Sequence, residues 1–356
     1  MTPAERAVAH VDALALAATP AARRRVAAAL RQTPAAGADA DMLGAGLFRR
    51  GRVAVHFHPD RIAAGGLTTV AALLTSGTYL SQFVTGVSAG GLTAHPGGDR
   101  DRWEDALFGG AYHRPAAPPS QRPVYGALDL LGHADGPAPR FGSCRLRLRE
   151  HVLARTTLSV GDTVTQPADR GTRARPLPLV AGLLEGVADG TLHLGAPELA
   201  AADMAGLLLS ASGPVAGTTR LGRAMDSYLE AQVHGGLDIA RDADELEADP
   251  SFAGTAVGAD LEALAARSGL TLRWHPGFVL PADAVPAGPR GPVMPVLARR
   301  LRALTGEDVV TAAVIGAGAR SLVLEPAAWA DLGSPAECLQ WLKQLWHVLV
   351  LAGAPA

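Results

Sequence analysis

Cysteine is scarce in this chain and an excess of positive charge is absent, and each of these features excludes a class of protein. The two cysteines, Cys144 and Cys338, lie far apart in the sequence, so neither a disulfide framework nor a cysteine zinc site is available. A single lysine, Lys343, stands against 31 arginines, yet the formal net charge is -2. Because such a chain has no basic field to hold a polyanion, we expect no strong nucleic-acid binding.

Long apolar runs are also missing. The closest approach, residues 338–352, carries Lys343 and His347 and is too short to span a membrane. The N-terminal stretch lacks a basic start followed by an uninterrupted apolar core, and the acidic Glu5 and Asp12 argue against a signal peptide. We therefore expect a cytoplasmic protein with no membrane partner.

The most informative stretch that is present is residues 52–61, which predicts a buried strand with two histidines. Alternation along a strand places Val53, Val55 and Phe57 on one face and His56 and His58 on the other. Pro59 then ends the strand, so both imidazoles are expected near its C-terminal edge, where sites are often built.

A second stretch, residues 227–235, has the same design. Leu229, Ala231 and Val233 are expected to point inward, while the opposite face carries polar groups that can hydrogen-bond or transfer protons. These groups are Tyr228, Glu230, Gln232 and His234. Two such strands side by side would form the wall of an active site.

Helices and strands alternate irregularly along the chain, which predicts an α+β fold with a mainly antiparallel sheet rather than a doubly wound sheet or a barrel. We expect an N-terminal helical segment over residues 1–47, an α+β catalytic domain over 48–280, and a C-terminal helical extension over 281–356 packed on the same domain. Thr2-Pro3 and Thr19-Pro20 predict two N-terminal helices. Further helices are expected at 68–75, 103–108, 261–267, 293–304 and from Pro335.

Strands are predicted at 79–85, 125–130, 142–149, 156–160 and 270–275, with loops at 86–95, 114–123 and 164–178. In the strand at 142–149, Arg145, Arg147 and Arg149 alternate with apolar residues and are expected to form a solvated face.

Together, six segments resemble an uncharacterised bacterial domain family of unknown function. They are 56–61 (HFHPDR), 79–91, 122–128, 139–143, 155–162 and 228–235. The resemblance covers most of residues 50–300 and brings no activity with it.

The same segments bear a more distant resemblance to the ADP-ribosyltransferases, which cleave NAD at the nicotinamide-ribose bond. In that superfamily a His or Arg ends an early strand, a segment with small hydroxyl residues lines the nicotinamide pocket, and a catalytic Glu lies on a late strand. His56 or His58, the 81–88 segment and Glu230 follow that order. The pair Tyr228 and Glu230 is similar to the poly(ADP-ribose) polymerase branch.

This resemblance implies an ADP-ribosyltransferase-like fold and NAD as the substrate, with no metal. Glu230 would stabilise the oxocarbenium-like ribose, and His56 or His58 would anchor the other ribose. Arg61 or Arg140 would hold the pyrophosphate. The remaining substrate-binding residues would be Tyr79, Ser81, Gln82, Thr85, Ser88, Tyr228, Gln232 and His234. The acceptor stays open.

Two alternatives remain at this point. A strand that ends in His-x-His also presents two imidazole ligands to a metal in many hydrolases, and Glu230, His234, His275 or Asp60 could complete such a site. Both polar strands could instead be noncatalytic, with their polar residues on a solvated face or serving only to bind a ligand.

Overall fold

The computed structural model describes residues 1–63, 65–86, 94–213 and 217–356, and within them the chain has an α+β fold with a mainly antiparallel sheet. The chain divides into two compact units. Unit 1 comprises Met1–Val55, Thr78–Ala138 and Arg147–Asp244, and unit 2 comprises His56–Gly77, Pro139–Leu146 and Glu245–Ala356. The predicted domain boundaries at residues 48 and 280 stay predictions.

The α-helices in the described residues are, in chain order, α1 (Pro3–Leu30), α2 (Ala40–Arg50), α3 (Thr69–Ser76), α4 (Gln82–Thr85), α5 (Asp99–Leu107), α6 (Leu177–Ala188), α7 (Ala201–Leu209), α8 (Ile239–Asp242), α9 (Ala256–Ser268), α10 (Val293–Thr305), α11 (Ala312–Leu324) and α12 (Pro335–Ala352). The strands are β1 (Arg52–Phe57), β2 (Thr78–Tyr79), β3 (Val124–Asp129), β4 (Cys144–Leu148), β5 (Thr156–Val160), β6 (Arg170–Thr172), β7 (Leu229–Val233), β8 (Leu237–Asp238), β9 (Ala243–Ala248), β10 (Thr271–Trp274), β11 (Leu280–Pro281) and β12 (Val309–Val310).

The sheet of unit 1 has the order β1-β3-β7-β5-β6, and all of these neighbours are antiparallel. Strand β7 lies in the middle, so both of its faces are buried. Leu229, Ala231 and Val233 form its apolar face. Helix α6 packs against β5 and β6, and α1 packs on α6.

Unit 2 combines helices with short strands. Strands β9 and β10 pair in parallel, β11 and β12 pair in antiparallel, and α10, α11 and α12 pack against one another. Its core includes the large buried rings of Phe278 and Trp346, which meet edge to face with centroids 5.8 Å apart. Helix α12 is thus a core element, as its apolar spacing predicts.

The prediction of two N-terminal helices is wrong, because α1 runs without a break from Pro3 to Leu30. A capping box of Thr2 and Glu5 starts it as expected. Pro20 lies inside the helix at an exposed position, and its lack of an N–H removes one bond of the helical ladder. The buried stripe of α1 continues on both sides of Pro20, so packing of this face outweighs the local cost of proline.

The predicted strand over 79–85 is also wrong. Only Thr78 and Tyr79 pair, with β8, and the chain then turns into the short helix α4, which Gly86 ends with a left-handed backbone (φ 62°). The helix predicted at 68–75 is confirmed, since Thr68 caps α3 and Gly77 ends it in the left-handed region. Of the predicted 86–95 loop, residues 87–93 lie outside the described part of the chain.

The expected solvated face of the 142–149 strand fails at Arg145, and the alternative in which β7 has a solvated face does not hold. Arg145 on β4 is buried and pairs with Glu247, so this position is not part of a solvated face. The polar face of β7 is likewise buried, because Glu230, Gln232 and His234 are shielded from solvent. The predicted 164–178 loop contains strand β6. None of the described helices is both long enough and apolar enough to cross a membrane.

Candidate functional site: a buried carboxylate on the sheet of unit 1

Strand β7 brings Glu230, Gln232 and His234 to one buried face of the unit 1 sheet. The strand register places Ser159 of β5 beside Glu230, and it places Thr157 of β5 beside Gln232. The two flanking residues carry hydroxyl groups, so this face has hydrogen-bonding groups on two adjacent strands. The predicted clustering of polar groups along this strand is confirmed.

Glu230 is 6% exposed, and its carboxylate has a defined set of donors. The hydroxyl of Thr163 donates to Oε1 at 2.6 Å, and Nε2 of Gln232 donates to the same oxygen at 3.0 Å. The Thr163 N–H reaches Oε2 only at 3.4 Å. Oε2 is therefore the less engaged oxygen of the two.

Burial, followed by the negative charge of Asp162, raises the pKa of Glu230 to about 7. Bonds from Thr163 and Gln232 and the charge of Arg100 act in the opposite direction. Asp162 itself accepts a hydrogen bond from the Tyr228 hydroxyl at 3.0 Å. A carboxyl group with a pKa near neutrality can exist in either protonation state at the pH of the cell.

The hydrogen bonds along β7 all donate in the same direction along the strand. This direction is fixed because each side chain has a limited number of donor hydrogens. Thr157 Oγ1 donates to Gln232 Oε1 at 2.7 Å, so it must accept from Nε2–H of His234 at 2.9 Å. Nδ1 of His234 then accepts from the Tyr112 hydroxyl at 2.6 Å. Burial, followed by the charge of Arg155, lowers the pKa of His234 to about 3, which keeps the ring neutral.

A chain of four hydrogen bonds therefore runs from Tyr112 through His234, Thr157 and Gln232 to Glu230, with every donor oriented towards the carboxylate. Aligned bonds polarise one another in a region of low dielectric constant. The arrangement orients Glu230 and stabilises its ionised form. We call these five residues the β7 relay.

Helix α5 and strand β3 add a buried ion cluster in the same unit. Glu104 is 0% exposed and accepts hydrogen bonds from Arg122 at 2.9 Å and from the Tyr125 hydroxyl at 2.8 Å. The guanidinium of Arg100 lies over the Tyr125 ring, 4.5 Å from its centroid, and acts electrostatically on Glu230. Nε of Arg100 is buried and has no hydrogen-bond partner among the described residues.

The residues predicted to line a nicotinamide pocket near position 80 all fall in unit 1, apart from Ser88, which is outside the described residues. The Ser81 hydroxyl donates to the Pro119 carbonyl at 2.7 Å, and the Thr85 hydroxyl donates to the Ser81 carbonyl at 3.4 Å. Burial raises the pKa of Tyr79 well above its usual range. Oε1 of Gln82 is buried without a partner among the described residues.

The two predicted histidines of β1 lie in unit 2 and have weaker contacts. Nδ1 of His56 donates to the Gly142 carbonyl at 3.3 Å, and burial, followed by the charge of Arg145, lowers the pKa of His56 to about 3. His58 is half-buried, and its Nδ1 lies 3.4 Å from the Ser143 hydroxyl. Both imidazoles are therefore neutral at physiological pH, because burial lowers the pKa of His58 as well.

Two of the histidines that the metal-hydrolase alternative could use, His234 and His275, are already bonded within the protein. His234 uses both ring nitrogens in the β7 relay, and His275 uses both to bond the Ser143 carbonyl and the Gly277 N–H. Asp60 is buried, which raises its pKa to about 6. No group of three or more His, Cys, Asp or Glu side chains in the described part of the chain could hold a metal ion.

Several residues of this site were missed from the sequence. Thr163, Arg100, Glu104, Tyr112 and Arg122 are distant from β7 in the chain, and no spacing pattern connects them with Glu230. The predicted strand alternation could have pointed to Thr157, because Thr157 and Ser159 alternate with the buried Leu158 on β5.

Comparison with known proteins gives a family and two phage relatives. Residues 52–351 match the model of a family described as "Protein of unknown function (DUF3626)". A "Gene 2 protein" of Mycobacterium phage D29 is 38% identical over 92 residues, which are 26% of this chain and 31% of that protein. A "Gene 2 protein" of Mycobacterium phage L5 is 29% identical over 169 residues, which are 46% of this chain and 56% of that protein.

The chain thus spans about half or less of the length of these phage relatives. The family match includes all the strands described above and every residue of the β7 relay. Because it covers most of the chain, the chain belongs to the DUF3626 family of proteins of unknown function.

Proposed function

We propose that the protein cleaves the bond between nicotinamide and ribose in NAD, with Glu230 as the catalytic carboxylate. The observation that carries this proposal is the β7 relay, whose four aligned hydrogen bonds end on a buried carboxylate. A carboxylate held in this way is suited to stabilising positive charge, and its position is fixed before substrate binds.

In the proposed reaction, the ribose C1′–N bond breaks and its electron pair leaves on the nicotinamide nitrogen. Positive charge develops at C1′ and is stabilised by the ionised Glu230. A nucleophile, water or another acceptor, then forms the new bond to C1′ and releases a proton. Oε2 of Glu230 is the oxygen available for this role, since Oε1 is held by Thr163 and Gln232.

The cations of the site support a negatively charged substrate. Arg100 acts on Glu230, and its buried Nε is an unused donor within the described residues. The predicted ribose anchors His56 and His58 and the predicted nicotinamide residues Tyr79, Ser81, Gln82, Thr85 and Ser88 stay predictions. So does the likeness to the ADP-ribosyltransferase fold.

The test is nicotinamide release from NAD by the purified full chain, followed by chromatography with and without a chelator. Glu230→Gln should lower the rate about a hundredfold or more, because a uniquely placed electrostatic group is removed. Glu185→Gln is the matched control, since Glu185 is a half-exposed partner of Arg25 on α6 of the same unit. We expect the control to retain the wild-type rate.

Absence of release by the folded wild-type protein would overturn the proposal. Release that the chelator abolishes would instead favour metal-dependent chemistry.

A further inference from the structure

Helix α12 of unit 2 carries a buried histidine whose ring has no well-formed hydrogen bond within the described residues. His347 is 2% exposed, and only a weak contact with the backbone of Arg140 acts on its ring. Leaving a buried polar atom without a partner costs about 1–3 kcal/mol. This ring differs from His234 and His275, whose nitrogens are all bonded.

Positive charges act on this ring and on that of His58. After burial, the largest causes that lower the pKa of His347 are the charges of Arg140, Arg290 and Lys343. After burial, the charge of Arg61 and then the proximity of His347 lower the pKa of His58. Lys343 and His347 are one turn apart on α12, so they share a side of the helix.

The cluster is held together by aromatic and backbone contacts within unit 2. The rings of His58 and Trp346 meet edge to face with centroids 5.2 Å apart. The Trp346 Nε1–H donates to the Pro139 carbonyl at 2.8 Å, which ties α12 to the turn that carries Arg140. The geometry of the cluster is therefore set by packed groups and not only by flexible side chains.

The residues of the cluster differ in their exposure to solvent. Arg290 is exposed, Lys343, Arg140 and Arg61 are half-buried, and His347 is buried. Nη1 of Arg61 is buried and has no hydrogen-bond partner among the described residues. Asp60 is the acidic group whose charge acts on Arg61. An anion that contacts the partly exposed cations would therefore also find the unpartnered donor of Arg61.

We propose that His58, Arg61, Arg140, Lys343 and His347 form a binding site for a phosphoryl group. Guanidinium and ammonium groups bind phosphate oxygens with charge-assisted hydrogen bonds, and a neutral imidazole offers one further donor. Inorganic phosphate, pyrophosphate and the diphosphate of a nucleotide share this chemistry. The site is built from unit 2 alone and does not rest on the proposed cleavage of NAD.

Calorimetric titration of the full chain in low-salt buffer tests the site with inorganic phosphate, pyrophosphate and ADP as separate probes. We expect saturable binding of at least one probe, and the tightest of the three identifies the source of the phosphoryl group. Arg61→Gln and Lys343→Gln should each weaken the affinity for that probe about tenfold, because each removes one charge-assisted hydrogen bond. Arg299→Gln, which removes an exposed arginine on α10, is the matched control and should bind as the wild type does.

Failure of the wild type to bind any probe would overturn this proposal, as would equal binding by wild type and Lys343→Gln. Circular dichroism checks that each variant folds. Should Arg61→Gln not fold, the half-exposed Lys343 decides the test, because its side chain is not part of the core. Nicotinamide release by the same samples is measured separately, so failure of phosphoryl binding and failure of NAD cleavage are told apart.

Discussion

The polar side chains of β7 and those at the end of β1 differ in the length of their hydrogen bonds. On β7 in unit 1, the side chains of Glu230, Gln232 and His234 bond to one another, to Thr157 or to Tyr112, at 2.6–3.0 Å along the relay. At the end of β1 in unit 2, His56 and His58 have contacts of 3.3 and 3.4 Å. The residues that the sequence places in parallel roles thus have different surroundings.

This difference teaches what each region is suited for. A fully bonded network fixes its groups in one arrangement, which is what a catalytic carboxylate requires. The region around His58 lies among cations and includes the buried Nη1 of Arg61, which has no partner among the described residues, and such a donor gains most from a ligand. We therefore assign the chemistry to unit 1 and an anion-binding role to unit 2, as proposals that can be tested independently.

The largest expected effect concerns the ion cluster beside the relay. Glu104→Gln leaves the buried guanidinium of Arg122 without its fully buried carboxylate. We expect the free energy of unfolding to fall by about 3 kcal/mol, as for other broken buried pairs. Glu185→Gln breaks a half-exposed pair with Arg25 and should cost below about 1 kcal/mol. Urea denaturation measures the loss of stability in both variants. Equal losses would contradict the view that the buried cluster depends on the carboxylate of Glu104.

The next effect concerns Glu230 and pH. Its pKa is raised from 4.5 to about 7, so between these values the native state binds more protons than the unfolded state. Stability from this group therefore falls as pH rises through that range, by about 3 kcal/mol. Glu230→Gln removes this titrating group. The free energy of unfolding of the variant should therefore rise relative to that of the wild type between pH 5 and pH 8. A constant difference in urea denaturation across that range would contradict the raised pKa.

The smallest effect compares one hydroxyl from each region. Thr157→Val keeps the shape of the side chain but removes the group that links Gln232 with His234, and we expect a loss of about 1–3 kcal/mol. Ser143→Ala in unit 2 removes a contact of 3.4 Å to His58 and should cost less than about 1 kcal/mol. A larger loss for Ser143→Ala than for Thr157→Val would reverse the comparison.

Local patterns in the sequence predict much of this fold. Strands β1, β3, β5 and β7 agree with their predicted positions, because each alternates over at least five residues. Helices α3, α9 and α10 end at glycines with left-handed backbones, as their sequences indicate. The predicted sharing of a face by Glu230, Gln232 and His234 follows from the same alternation.

Other elements depend on contacts that no local pattern contains. Helix α6 is so uniformly apolar that its sequence has no amphipathic stripe, and ten of its residues are buried beneath α1 and the sheet. The sequence patterns do not predict helices α2, α7 and α11, which lie in segments rich in alanine and glycine. In the site, Glu104 meets Arg122 and Thr163 meets Glu230 only because the fold brings distant segments together.

The central claim is that the ionised carboxylate of Glu230 promotes cleavage of the nicotinamide-ribose bond. The most direct test is the rate of nicotinamide release at NAD concentrations far below KM, which reports the free enzyme, between pH 5 and pH 9, for wild type and for Glu230→Gln. Because the ionised form is the active one, the wild-type rate should rise with pH and level off above an apparent pKa near 7, while the variant stays slow and flat. A folded Glu230→Gln variant that releases nicotinamide at the wild-type rate, with the same pH profile, would contradict the account.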